Sequence, residues 1–359
     1  MSNYPIEMDG APVYFIDDIN SDDERSDPEL YSSSSMASGS AETLASTEVH
    51  VSGRMFPADV NVAISLPQDE GEIQRCLDHH MVFKMILQGK YWGPVEQVLA
   101  PTPGETERKK VLDMVTAEGS WVQEMAQQFP HVDFLSVDNI PLTPHVPRSN
   151  IVFEVYDLYN GIAAPDASFD IVHIRQSTAH IKNPKDLIRD VHRILKPGGI
   201  FLFSDSEIDG FDALDPDVPA GDKLPGLTAA SLFVRQALIR QGVNPYLWRD
   251  LPELLAPESE LWLSRRGAGG DKQLGFRTIR TKSYTFPGNT WPEDARSKQL
   301  GRLANKTWKS MWRSMEVPFQ MFGVEPDRAK QLIQGAVDDI DRTDIAVAAR
   351  YHTLYAFKI

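Results

Sequence analysis

A single cysteine, Cys76, stands in 359 residues, so the chain can close no internal disulfide and offers no thiolate cluster for zinc. It reads as a small buried hydrophobe. Nothing approaches the roughly 18 consecutive apolar residues of a membrane helix, and the acidic start lacks the basic and apolar regions of a signal peptide. These absences predict a soluble chain with no membrane contact, cytoplasmic, with entry to the nucleus left open. Basic clusters are scarce too. Arg108-Lys109-Lys110 and Arg265-Arg266 are isolated in a chain of net charge −15, and phosphate contacts need clustered Lys and Arg, so general nucleic-acid binding is excluded.

What is present is an ordinary globular composition, 42% hydrophobic and 24% charged, enough to build a sizeable core. The acid is unevenly spread. Residues 1–50 hold eleven acidic side chains against one basic, Arg25, together with the run Ser32–Ser35. Residues 1–53 therefore read as a disordered acidic tail, solvated in the plain reading and a contact for a protein partner in the alternative. Within it, Val13–Ile19 is apolar enough to serve as a short linear motif.

Residues 54–107 are expected to be a helical segment packed on the core, with Ile73, Cys76, Leu77, Met81 and Met85 at helical spacing. From 108 to 359 a single domain follows. The run RKKVLDM ends in an acid and leads through a Gly-containing turn into a helix with Trp121, Val122, Met125, Ala126 and Phe129 on one face. FLSVD ends at Asp138, IVFEVYD at Asp157, and FDIVHIR precedes a helix capped by Asn183 with Pro184 at its first position and stopped by KPGG. GIFLFSD completes an alternating βα series, which predicts an α/β fold with a mostly parallel sheet covered by helices on both faces. A helical or loop insertion falls at about 210–275, and residues 276–286 and the last residues read as strands. The stripe Trp308, Met311, Trp312, Met315, Phe319, Met321 and Phe322 is core by default, with an apolar acceptor site as the alternative.

In open α/β sheets the ligand sits at the carboxyl ends of the strands, so the acids there, Asp113, Asp138 and Asp157, are the candidates. An acid at the end of the second strand accepts hydrogen bonds from ribose hydroxyls, which assigns Asp138. A dinucleotide would also need G-x-G-x-x-G at the helix start. VTAEGSW does not supply it, which weakens hydride chemistry with NAD.

The run VLDMVTAEGSWVQEMAQQFPHVDFLSVD resembles motif I and the second strand of class I S-adenosylmethionine-dependent methyltransferases, whose pattern is D-x-G-x-G-x-G followed by an acid. LPQDEGEIQRCLDHH, FDIVHIR, DVHRILKPGGIFLF and RYHTLYAFK resemble segments of one fungal branch, the LaeA-like methyltransferases, particularly those of basidiomycetes. This resemblance implies a Rossmann-like, seven-stranded sheet with an antiparallel last hairpin, S-adenosyl-L-methionine as cofactor, and a small-molecule acceptor of secondary-metabolite type. It implies that Asp113, Ala117 and Gly119 shape the loop under the methionine part. Asp138 and Asn139 would lie at the ribose, Asp157 and Leu158 at the adenine, and Arg175 and Gln176 would face cofactor or acceptor. His180, just past the fourth strand, is the candidate base. His173 is structural, His192 lies on an exposed helix without a chemical role, and His79 and His80 pack or cap, with a lid contact second.

The departures from this pattern are specific. Val115 and Ala117 replace the first two motif glycines. Because a β-branched residue at φ > 0 would be an outlier, Val115 is expected at ordinary φ. The methyl of Ala117 and the charge of Glu118 are expected to weaken cofactor binding. They raise a rival reading, a catalytically silent methyltransferase-like module with a regulatory binding role.

Overall fold

The computed structural model describes residues 13–16, 48–51, 53–57, 62–104, 106–139, 142, 148–263 and 274–359. Three short strands, β1 (Val13–Ile16), β2 (Glu48–Val51) and β3 (Arg54–Pro57), precede helices α1 (Glu70–Leu87) and α2 (Val95–Leu99). The βα series follows as β4 (Lys109–Met114), α3 (Ser120–Gln128), β5 (Val132–Asp138), β6 (Ile151–Tyr156), β7 (Phe169–Arg175), α4 (Pro184–Ile194) and β8 (Leu195–Ser206). Beyond it come β9 (Phe211–Asp212), β10 (Asp215–Pro219), α5 (Pro225–Arg240), α6 (Leu247–Leu255), α7 (Glu260–Leu263), β11 (Phe276–Pro287), α8 (Ala295–Arg313), α9 (Glu316–Met321), α10 (Pro326–Ile340) and β12 (Val347–Lys358).

Seven strands in the order β6-β5-β4-β7-β8-β12-β11 form the body of the sheet. Those from β6 to β8 are mutually parallel, whereas β12 runs antiparallel to both β8 and β11. The Rossmann-like sheet with a reversed last hairpin is therefore as expected. Most of the acidic segment 1–53 lies outside the described residues. Within it, β1 runs parallel to the β6 edge with Val13 opposite Phe153, and β2 forms a hairpin with β3.

Period-2 alternation divides the buried strand residues between two cores. On one face Val111, Phe134, Phe153, Ile171 and Ile200 pack against Trp121, Val122 and Met125 of α3 and Val95 and Leu99 of α2. On the other, Leu112, Val137, Val172, Ile174, Phe201 and Phe203 meet Ile188 and Val191 of α4 and Leu247, Leu251 and Leu255 of α6. Along the chain the strand order reverses between β4 and β7, which opens a crevice where the ends of these two strands meet.

Two expectations need correction. On α1, Leu77 and Met81 are exposed, and the inward residues are Glu72, Cys76, His80, Val82, Phe83 and Ile86. The polar members of that face, Glu72 and His80 with Arg75 and His79, line a cavity. His192 is not exposed. Its ring is buried between Trp262 and Phe276, and its Nε2 accepts the Gly275 N–H at 3.2 Å. Trp262 of α7 and Phe276 of β11 provide that cover. The aromatic and methionine stripe is core, as its default reading has it: Trp312, Met315 and Phe319 are fully buried, Trp308, Met311 and Phe322 pack against the same cluster with α5 and α10, and only Met321 of the stripe is exposed.

Candidate functional site

β4 and β7 are in register with Asp113 opposite His173, and both side chains point into the crevice. His173 Nδ1 donates to Asp113 Oδ1 at 2.6 Å, and Thr116 Oγ1 donates to Asp113 Oδ2 at 2.7 Å. The His173 ring stacks on Trp121, with centroids 3.6 Å apart and planes 12° from parallel. Burial holds this imidazole neutral, below its ordinary pKa, although Asp113 pulls the other way. A neutral ring with its proton on Nδ1 ties β4, β7 and α3 together. This is the structural role expected of His173.

The loop after β4 repeats the backbone of a glycine-rich turn without its glycines. Val115, Ala117 and Gly119 have φ of +55°, +53° and +75°. Val115 is therefore at positive φ, which corrects the expectation of an ordinary φ drawn from its β-branching. Its N–H donates to Val137 O at 2.8 Å, that of Ala117 to Asp138 Oδ2 at 2.9 Å, and that of Gly119 to Thr116 O at 3.0 Å. Three hydrogen bonds across a tight turn over-determine the conformation and outweigh a left-handed cost of about 1–2 kcal/mol per residue.

A cavity of about 170 Å³ lies against this loop. Asp113, Val115, Thr116, Ala117, Glu118, Trp121, Asp138, Asn139 and Leu142 line its floor. Tyr159, His173, Arg175, Gln176 and His180 form one wall, and Val62, Ile64, Leu66, Pro67 and Gln68 with Glu72, Arg75, Cys76, His79, His80 and Phe83 of α1 form the other. The lid is thus N-terminal, and no residue of the 308–322 stripe reaches the cavity. A second, larger hollow of about 550 Å³ near Lys109, Asp170 and Lys196 sits at the amino ends of β4 and β7, the wrong end of a parallel sheet for ligand.

Several expected site residues meet here and others do not. Asp113, Ala117, Asp138, Asn139, Arg175, Gln176 and His180 line the cavity. Gly119 instead caps α3, and Asp157 and Leu158 stand just outside. Asp157 accepts the Tyr159 N–H at 2.9 Å and an Asn139 amide hydrogen at 3.3 Å, so it sets the turn that brings Tyr159 to the wall. Gln176, at φ +55°, donates to Ser206 Oγ at 2.9 Å.

Glu72 and Arg75 escaped the sequence reading. Arg75 donates from Nε and Nη2 to Glu72 Oε1 at 2.9 and 2.6 Å, and Glu72 is almost wholly buried while its Oε2 has no partner. Burial opposes the Arg75 charge, but the fields of Cys76, Glu72 and Glu118 outweigh it, so the guanidinium is held charged. The signal was available: Glu72, Arg75, His79 and His80 recur at helical spacing and mark a polar face on an inward-facing helix. Burial also pushes the Cys76 thiol up to about 12, which makes it inert as a nucleophile. His79 is held well below its ordinary pKa, and His80 and His180 are lowered to about 4, in each case chiefly by burial. The cavity histidines are therefore neutral at pH 7.

A parallel sheet of this order, with an antiparallel last hairpin and an acid at the end of each of its first two strands, is the Rossmann-like fold of class I methyltransferases. Residues 88–246 match the family described as Methyltransferase domain. The chain is 30% identical to Methyltransferase str3 of Strobilurus tenacellus over 43% of its own length and 53% of that protein's. It is also 30% identical to Secondary metabolism regulator laeA of Coprinopsis cinerea over 45% of its length and 40% of the relative's. The chain is thus similar to these two proteins over part of its length, and it spans about half the length of each. Phosphoethanolamine N-methyltransferase 2 of Haemonchus contortus, solved with S-adenosyl-L-methionine, is similar over 85% of this chain and 61% of its own, at 15% identity and a TM-score of 0.41.

No helix among the described residues is long and apolar enough to cross a membrane. Nor do the described residues hold a group of three or more His, Cys, Asp or Glu side chains arranged for a metal ion.

Proposed function

We propose that the cavity between α1 and the β4–α3 loop binds S-adenosyl-L-methionine and that the protein transfers its methyl group to a small-molecule acceptor of the secondary-metabolite kind. The observation that carries this reading is the loop itself, which holds three left-handed positions at the topological switch point although two of the glycines are gone. A further fit is the buried Glu72 Oε2, an acceptor without a donor in a cavity that would receive an ammonium group.

The cofactor supplies an already activated methyl on a sulfonium, so the chain needs to position, desolvate and orient. Asp113 holds the loop through Thr116 and ties it to His173. Asp138 would accept the ribose hydroxyls while its Oδ2 holds the loop by accepting the Ala117 N–H. Asn139 and Tyr159 flank the nucleoside side, with Asp157 and Leu158 supporting them from behind. The N-terminal residues Val62–Leu66 exclude water. His180, neutral and lowered to about 4, is a weak base suited to accepting a hydrogen bond that orients the acceptor.

A second reading, a silent regulatory module, is favoured by one observation: Glu118 faces a cavity meant for a ligand that itself carries a carboxylate. The acidic tail would then be the contact for a protein partner. Calorimetric titration of the purified full chain with S-adenosylmethionine and S-adenosylhomocysteine separates the two. Saturable heat supports the enzyme, and silence with both supports the module.

A further inference from the structure

β11 lies at an edge of the sheet and, among the described residues, pairs with β12 alone. Its outer side is open. Gly288 N–H donates to Val347 O at 2.8 Å, and bonded positions in an antiparallel ladder recur at every second residue, so the N–H and C=O groups of Thr281, Ser283 and Thr285 face outward. The neighbouring ladder agrees in phase. Arg350, opposite Thr285, turns its C=O the other way, to the Glu207 N–H. Such an edge is a template for one more strand.

The charges on this edge share a face. Arg277, Arg280 and Lys282 stand opposite Phe357, Tyr355 and Thr353, alternate residues of β12, which the pleat places on one side of the sheet. Residues three apart in a regular strand would fall on opposite faces; the register shift between Arg277 and Arg280, with Thr278 at φ +52°, brings the two arginines together. All three cations are exposed and none forms an ion pair among the described residues, Lys282 Nζ lying 4.5 Å from the Tyr284 ring centroid. Beside them Tyr355 and Phe357 are half-buried, with Trp92 at 5.0 Å from Tyr355 between ring centroids. Guarding an edge against self-association needs charge of one sign, but not a row of cations aligned on one face beside aromatic rings.

We propose that the β11 edge receives an extended acidic segment of a partner protein, which adds as a strand along Thr281, Ser283 and Thr285 and lays carboxylates at alternate positions against Arg277, Arg280 and Lys282. Charge selects this occupant. The same edge of a second copy would set cations against cations, which destabilises cross-strand pairs, and the chain's own strand β1 is already seated on β6 at the far side of the sheet. Arg280 and Lys282 turn their own backbone groups to β12, so in an antiparallel addition the residues opposite them are non-hydrogen-bonded pairs, with Cα atoms about 4.5 Å apart and side chains at their closest.

Fluorescence anisotropy on the full chain tests this with a labelled peptide in which Glu alternates with Thr. The peptide should bind saturably, and the combined variant Arg277→Gln, Arg280→Gln, Lys282→Gln should bind it about tenfold more weakly, as the loss of three exposed ion pairs predicts. All three side chains are exposed, so the variant should melt with the parent. The same peptide N-methylated at its Thr residues keeps its charge and loses the donors that would face β11, and it should bind at least tenfold more weakly than the unmethylated one. Equal binding of the methylated peptide, or parent-like affinity in the combined variant, would overturn the proposal. So would no binding of the acidic peptide, tighter binding of a single-stranded oligonucleotide of equal charge, or a dimer of the chain that the peptide cannot dissociate.

Discussion

Asp113 and His173 are sixty residues apart in sequence and directly opposite in the sheet, joined by a 2.6 Å hydrogen bond that links the two strands flanking the switch point. Both side chains are buried, so each depends on the other for its polar partner. Asp113→Ala would strand the His173 Nδ1–H and free Thr116. The expected loss is about 2–3 kcal/mol of unfolding free energy, the cost of unpaired buried donors. Asp113→Asn keeps one acceptor oxygen and should lose less than half of that. Urea denaturation of the two variants checks the order.

The left-handed backbone at Ala117 reverses the sign that its alanine suggests. At ordinary φ, Ala117→Gly would destabilise the chain, but at +53° it removes a strained Cβ. The strain relieved, about 1–2 kcal/mol, exceeds the added unfolded-state entropy, so the variant should be more stable by about 0.5–1 kcal/mol. Losing the methyl also clears space on the cavity floor, so affinity for S-adenosylhomocysteine should rise with stability. A lower denaturation midpoint in Ala117→Gly would contradict the loop geometry.

The neutral histidines make the protein acid-sensitive. Their folded pKa values lie below 6.5, those of His80 and His180 at about 4, so between pH 6.5 and 4 the unfolded chain binds more protons. Stability therefore falls as pH drops through that window, each such histidine adding a slope that approaches 1.4 kcal/mol per pH unit. Glu154 acts in the opposite sense. Burial pushes it up from 4.5 to about 7, so its contribution is present below pH 4.5 and is lost as pH rises to 7. Glu154→Gln removes that offset, and its stability should decline more steeply on acidification than the parent's. Denaturation midpoints at half-unit steps from pH 7.5 to 4.5 read both slopes.

Much of the fold was legible because its strands are short apolar runs ending in acids and its helices carry clear stripes, as α3 does. Asp113 and Asp138 could be placed from strand ends alone, whereas Arg175 was named through the family resemblance. The misreadings share one cause, a partner distant in sequence. On α1 the apolar spacing through Leu77 and Met81 pointed outward, while Glu72, Arg75, His79 and His80 line the cavity. His192 looked solvated until Trp262 and Phe276 covered it. Val115 takes a conformation its own side chain disfavours because Val137 O, on the next strand, accepts its N–H. Local propensity carries none of these tertiary contacts.

The crevice between β4 and β7 is proposed to hold S-adenosyl-L-methionine under the α1 lid. Calorimetric titration of the purified chain with S-adenosylhomocysteine tests it most directly. The account predicts saturable one-site binding, abolished or weakened at least tenfold by Asp138→Ala through the loss of charge-assisted hydrogen bonds to ribose. Absence of binding heat together with an unchanged melting temperature at saturating ligand would contradict it, as would parent-like affinity in Asp138→Ala.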